Sequence, residues 1–218
     1  MGNFVHDIAE NLYLADPSER TLPYAKRLAA SVWTEYQDRV AQVLHGNADK
    51  IRMFRWNSWW CVENLFTMES PQELSFDGLE YELNHTLFAN TETPVLIKGF
   101  IDRWNYEDGS IVIGDYKTGK VPGVAYREDK FFQLLLYGIV LQEILDAEIS
   151  RIELLYIKSG ERLQHIPSAD DIQRVSDDIV ATRIAIDERC ATHEFEAKRS
   201  RLCDWCNYKT ICPAWRKN

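Results

Sequence analysis

Residues 95–104 and 110–117 are both rich in Val, Ile and aromatic side chains, and the Asp108-Gly109 pair between them constrains the fold more than any other part of the chain. Asp-Gly flanked by two such runs favours a two-residue hairpin turn, whose central positions both need positive φ. A turn this tight leaves no freedom of register. Glu107 faces Ser110, and counting outward sets Asp102 opposite Asp115. Two carboxylates directly opposed, with Cβ atoms ~5 Å apart, destabilise a sheet, so the pairing makes sense if a cation lies between them. Side chains alternate along a strand, and Asp115 and Lys117 therefore share a face while Tyr116 points away. The hairpin predicts a metal site with a lysine beside it.

That group suits phosphodiester hydrolysis, which needs an activated water and stabilisation of charge on phosphorus. Mg²⁺ or Mn²⁺ held by Asp102 and Asp115 would act as Lewis acid and lower the pKa of a bound water. Lys117 would orient the water or stabilise the phosphate. The plainer alternative is an exposed turn carrying an ordinary Asp-Lys pair.

At 218 residues, 45% of them hydrophobic, the chain has material for one substantial core and shows no Gly/Ser-rich linker. We expect a core over residues 1–195 and a small Cys-rich appendage over 196–218. Neither a secretory leader nor a membrane span is expected, since the longest apolar run, 134–141, is far too short to cross a bilayer. The expectation is a soluble, cytoplasmic protein. A net charge of −9 argues against coating nucleic acid by bulk electrostatics. The end of the chain reverses that balance: Lys198, Arg199, Arg201, Lys209, Arg216 and Lys217 stand against Asp204, either as a local phosphate contact or as a solvated tail.

Apolar spacing predicts helices over 3–14, 23–44 and 50–68, a strand over 79–88, a helix over 129–146, and strands over 151–158 and 162–166 around Ser159-Gly160-Glu161. A last long helix should carry Ile172, Val175, Ile179 and Ile186 on one side, with Asp170 and Asp171 in its first turn as the helix dipole favours. Trp56, Trp59 and Trp60, at helical spacing, read as packing aromatics rather than stacking platforms for bases. Phe131, Leu134, Leu135 and Leu141 read as core facing the sheet. Helices and strands in this order give a mixed sheet covered by helices, an α/β fold.

Five motifs in order then resemble one family. Gly2-x-x-x-His6, Gly99-Phe-Ile-Asp102-Arg, Asp115-Tyr-Lys117-Thr-Gly-Lys, Gln133-x-x-x-Tyr137 and Cys203-x-x-Cys206-x5-Cys212-Pro are similar to the RecB-like branch of the PD-(D/E)XK nucleases, over nearly the whole chain. The likeness is greatest to stand-alone actinobacterial and phage exonucleases, related to CRISPR-associated iron-sulfur exonucleases. The resemblance implies a PD-(D/E)XK restriction-endonuclease-like core and a DNA exonuclease acting on single strands or ends in recombination or repair. It makes His6 a third metal ligand beside Asp102 and Asp115, and an imidazole ligates Mn²⁺ acceptably. Gln133 and Tyr137 would hold nucleic acid and the active-site lysine.

In the resembling family the three terminal cysteines join a fourth to hold a four-iron, four-sulfur cluster, structural in role. The fourth lies upstream of Gly2-to-His6 in that family, and this chain has no counterpart for it. An amino-terminally shortened chain is the favoured expectation. The alternatives are Cys190 or Cys61 as a substitute ligand, or His193 completing a Cys3His zinc site, with Cys61 reading as a buried, unligated thiol. Two rival functions stay open: a non-catalytic DNA-end clamp partnering a helicase or recombination protein, and a zinc-stabilised DNA-binding regulator. Asp115 to Lys120 lacks the glycine loop of a Walker motif, so a motor of the chain's own is not expected.

Overall fold

A computed structural model describes residues 1–215; Arg216 and Lys217 of the basic end lie outside it. Helices α1 (Gly2–Leu14), α2 (Leu22–Val43) and α3 (Ala48–Met68) come first, then strands β1 (Gly78–Leu87), β2 (Val95–Glu107) and β3 (Ser110–Lys117). Helix α4 (Glu128–Leu145), strands β4 (Ile149–Tyr156) and β5 (Glu161–His165) and helix α5 (Ala169–Thr192) complete the core. The expected elements are all present, and their ends are set by local chemistry. Thr21 accepts a hydrogen bond from the Tyr24 amide, ahead of Pro23 in the first turn of α2, and Asn47 caps α3 through the Lys50 amide. Ser168 and Asp171 form a reciprocal capping box on α5.

The sheet runs β1-β2-β3-β4-β5, antiparallel throughout except between β3 and β4, which are parallel. Parallel neighbours need a crossover, and α4 supplies it. Positive φ at Asp108 (50°) and Gly109 (82°) makes the expected turn, and pairing proceeds from Glu107–Ser110 to Arg103–Gly114 as predicted.

Each face of the sheet has its own core. Under α4 and α5 lie Ile101, Trp104, Ile111, Ile113, Leu134, Leu135, Leu141, Val175 and Ile179. On the other face Phe4, Val5, Ile8 and Leu12 of α1 pack with Cys61, Val62 and Leu65 of α3 and with Tyr116 and Leu155 of the sheet. Phe131, Leu134, Leu135 and Leu141 are buried as expected. Cys61 is fully buried, and burial pushes its thiol up to about 11.

Two packing expectations are corrected. Trp56 is 70% exposed and Trp60 48%, because the buried side of α3 is taken by Ser58, Cys61, Val62 and Leu65; only Trp59 packs against the core. The Trp60 indole N–H donates to the Lys158 carbonyl, tying α3 to the β4–β5 turn. Ile186 is also exposed. At ~1.5 Å rise per residue α5 is about 36 Å long, and only its first half, through Val175 and Ile179, reaches a partner.

Candidate active site

The site lies where three neighbouring strands lose their regular pairing in one row. Pairing of β1 with β2 includes Leu79–Arg103 and Tyr81–Ile101 but omits the intervening Glu80–Asp102 rung. The β2–β3 ladder stops at Arg103–Gly114, one step short of Asp102–Asp115. Glu80, Asp102 and Asp115 thus occupy one row across the sheet, with both of its rungs open. The opposed pair expected from the hairpin is corrected in its detail: Asp102 leaves the ladder geometry, and its Oδ2 accepts a hydrogen bond from the Tyr116 amide at 2.7 Å. Like charges in one row supply the physical reason.

Backbone irregularity accompanies the open rungs. Glu80 has φ of 41°, a conformation that costs a non-glycine residue energy. Along β1, Leu79 packs on the α1 side while Tyr81 packs on the α4 side; along β2, Ile101 and Trp104 both face the α4 side despite their odd spacing. Each strand steps by one residue at this row. Arg103 is thereby turned into the α1-side core, lying over the rings of Phe76 and Tyr116 and donating to the Tyr116 hydroxyl at 2.9 Å. Gly114, its partner in the ladder, has no room for a side chain: a Cβ there would lie 2.3 Å from Arg103 Nε.

Helix α1 closes the site from above. His6 Nε2 is 2.7 Å from the Tyr116 carbonyl oxygen. A carbonyl only accepts, so Nε2 carries the hydrogen and Nδ1 is the atom that faces the carboxylates. Nδ1 lies 3.5 Å from Asp102 Oδ2 and 3.8 Å from Glu80 Oε1. Among the described residues, His6, Glu80 and Asp102 are the group whose donor atoms all lie within 4.8 Å of one another. Metal–oxygen bonds of ~2.0–2.6 Å put the donors of one ion no more than about 5 Å apart. These residues fit a divalent cation.

Asp115 and Lys117 share a face, as the alternation requires, with Lys117 Nζ 2.8 Å from Oδ1 and 2.6 Å from Oδ2 of Asp115. Oδ2 is buried and, although the ammonium is close, has no aligned hydrogen bond, which leaves its lone pairs suited to a further ligand bond. The electrostatics agree. Burial, then the Asp102 charge, push Glu80 up to about 7; burial and Asp102 likewise lift Asp115 to about 6 against the pull of Lys117. Burial works to lower the His6 pKa, but the hydrogen bond and charge of Asp102 outweigh it and raise it to about 9.

These directions fix a pH dependence. A bound cation must displace the His6 Nδ1 proton below about pH 9 and the Glu80 proton below about pH 7. Affinity for Mn²⁺ therefore rises about tenfold per pH unit between 7 and 9, more steeply below 7, and levels off above 9. Calorimetric titration across that range checks it; a pH-independent affinity contradicts the ligand set.

Glu80 was not among the expected ligands. Its register depends on the 88–94 connection, too long to fix pairing as Asp-Gly does. The one available signal was the three-residue spacing of Ile101 and Trp104, which marks the step in β2. Gln133 and Tyr137 share one side of α4, where the Gln133 amide donates to the Tyr137 hydroxyl at 2.9 Å, but neither hydrogen-bonds Lys117. Tyr137 instead packs on Gly99 of β2, where a Cβ would come within 2.4 Å of its hydroxyl.

Cys203, Cys206 and Cys212 lie half-exposed in the terminal segment, around the short 3-10 turns Arg201–Trp205 and Pro213–Trp215. Their sulfurs do not gather into a single-ion group among the described residues, nor do Cys190 and His193 join them.

The family model of the PD-(D/E)XK nuclease superfamily matches residues 1–213. The chain belongs to that superfamily. Its mixed five-stranded sheet flanked by helices is the superfamily's fold, and PD-(D/E)XK nucleases use divalent metal ions, for which the His6, Glu80 and Asp102 group is suited. A search of the curated proteins finds no match. None of the helices described is long and apolar enough to cross a membrane.

Proposed function

We propose that this PD-(D/E)XK nuclease is a DNA exonuclease that hydrolyses phosphodiester bonds with Mg²⁺ or Mn²⁺, in a RecB-like role in recombination or repair. The observation that carries the metal-dependent chemistry is the row of three carboxylates with open rungs beneath the His6 imidazole. In this reading His6, Asp102 and Asp115 are ligands, and Glu80 joins them. The cation would supply Lewis acidity and an activated water.

The chain's own residues do the rest. Tyr116 fixes both the imidazole, through its carbonyl, and Asp102, through its amide, so the backbone of one residue of β3 aligns ligands from two other elements. Lys117, partly exposed beside Asp115, presents a positive charge to a phosphate entering the row. Gln133 and Tyr137 would contact the nucleic acid along α4. The three terminal cysteines would hold an iron-sulfur cluster that clamps the end of the chain, with zinc as the competing occupant.

End-labelled single-stranded and duplex DNA incubated with Mg²⁺ or Mn²⁺ tests the reading, comparing wild type with Asp115→Ala purified identically. Metal-dependent release of label from the ends, lost in the variant, is expected. Folded wild-type protein that leaves both substrates intact overturns it, and cleavage of a circular strand would replace exonuclease by endonuclease.

A further inference from the structure

Helices α1, α2 and α3 border an open cavity of about 690 Å³ on the side of α1 away from His6. Phe4 and Ile8 of α1, Ala29 and Ala30 of α2 and Ile51 and Trp59 of α3 form its apolar wall. Lys26, Arg52 and Arg55 stand at its edge, and so does Trp56, which is 70% exposed. Arg55 lies 4.9 Å over the Trp33 ring, and Arg52 pairs with the exposed Asp49 at 2.6 Å.

In a chain of net charge −9, α2 from Leu22 to Thr34 and α3 from Ala48 to Cys61 together hold Lys26, Arg27, Lys50, Arg52 and Arg55 against Asp49 alone. A volume of this size holds a small organic group. Cations beside an open indole and an apolar wall complement a ligand that is anionic at one end and flat and apolar at the other.

We propose that this cavity is a subsite for an unpaired nucleotide of single-stranded DNA, its base stacked on Trp56 and its phosphates held by Lys26, Arg52 and Arg55. An unpaired base is required because a base in duplex has both faces covered by its neighbours, whereas stacking on an aromatic side chain needs a free face. Phe4 and Ile8 flank His6 by two residues on either side, so the cavity and the carboxylate row lie on opposite sides of α1, about one helix diameter, ~10 Å, apart. A strand held in the cavity passes round α1 to reach the row. The proposal rests on nucleic acid being the substrate, and it assigns the strand a second, non-reacting anchor.

The test is binding of a labelled single-stranded oligothymidylate by the full chain in chelator, followed by anisotropy and by quenching of tryptophan fluorescence. Trp56→Ala should weaken binding roughly tenfold while Trp56→Phe restores most of it. Arg55→Gln should lower the salt dependence by about one counterion. Because Trp56 is exposed, unchanged melting temperatures will show the variants folded. Unaltered affinity in Trp56→Ala and Arg55→Gln overturns the subsite, as does an equal loss for blunt duplex. Chelation separates binding from cleavage. If wild type digests DNA but the variants bind normally, the subsite falls and the nuclease stands; if the variants lose binding but wild type never digests, the reverse holds.

Discussion

Asp102→Asn is expected to abolish metal-dependent digestion, by at least ~10²-fold, without unfolding the protein. Residues that merely orient metal ligands cost up to about 10²-fold when changed, so a ligand at the centre of the row costs more. Asparagine is the informative replacement because its carbonyl oxygen still accepts the Tyr116 amide hydrogen now taken by Asp102 Oδ2 at 2.7 Å. The backbone of β3 keeps its anchor and only the charge is lost. With that charge gone, Glu80 and Asp115 lose the neighbour that helps hold their pKa values at about 7 and about 6, and His6 loses the main opponent of its burial. In the metal-free variant at neutral pH, relief of like-charge repulsion across the row is offset by loss of the carboxylate that stabilises the His6 imidazolium, so its stability stays close to that of wild type. Thermal melting with and without Mn²⁺ reads the difference directly: wild type is stabilised by the ion through mass action, and Asp102→Asn is not. An Mn²⁺-dependent rise in melting temperature that survives in the variant removes Asp102 from the ligand set.

Arg103→Met has the largest expected effect on stability, a loss of about 3–5 kcal/mol. Arg103 is 5% exposed and sits between two carboxylates whose side chains are 2% exposed, Glu69 at 2.6 Å and Glu153 at 3.4 Å. Methionine fills the volume between Phe76 and Tyr116 but leaves those acids short of a cation. Glu153 retains Arg151 at 2.6 Å and Gln164 at 2.7 Å, whereas the other cation beside Glu69 is Arg162 at 3.4 Å. Lysine is a poor rescue, because one ammonium cannot reach Glu69, Glu153 and the Tyr116 hydroxyl together. For a domain of this size the loss lowers the melting temperature by about 6–20 °C. Urea denaturation of Arg103→Met and of the double variant with Glu69→Gln checks it; the double variant should recover part of the loss. A single-variant loss below about 1 kcal/mol means that the acids are not held by Arg103.

Both outcomes trace to the same step in β2. Asp102 and Arg103 are adjacent, yet one enters the carboxylate row and the other the buried ion network. The Tyr116 backbone holds His6 and Asp102 while its hydroxyl accepts from Arg103 and donates to Glu69 at 3.1 Å. The site and its foundation are joined through one residue of β3.

Local chemistry made much of this legible in the chain itself. Asp108-Gly109 admits one turn, which fixes the hairpin register down to Arg103 opposite Gly114 and places Asp115 and Lys117 on one face. Apolar periodicity located each helix, and the run of Phe131, Leu134, Leu135 and Leu141 announced its buried side. Tertiary structure decided what depends on distant partners. Glu80 reaches the row only because β1 pairs with β2 in a register that the long 88–94 connection does not specify. Trp56 faces solvent because Ser58, Cys61, Val62 and Leu65 take the side of α3 that meets α1 and the sheet, whatever its spacing from Trp59 and Trp60. Ile186 is uncovered because α5 outruns the sheet beneath it. Turns and side-chain alternation act over a few bonds and are written in neighbouring residues, whereas the third carboxylate, the fate of Arg103 and the depth of each face are set by which surfaces meet after folding.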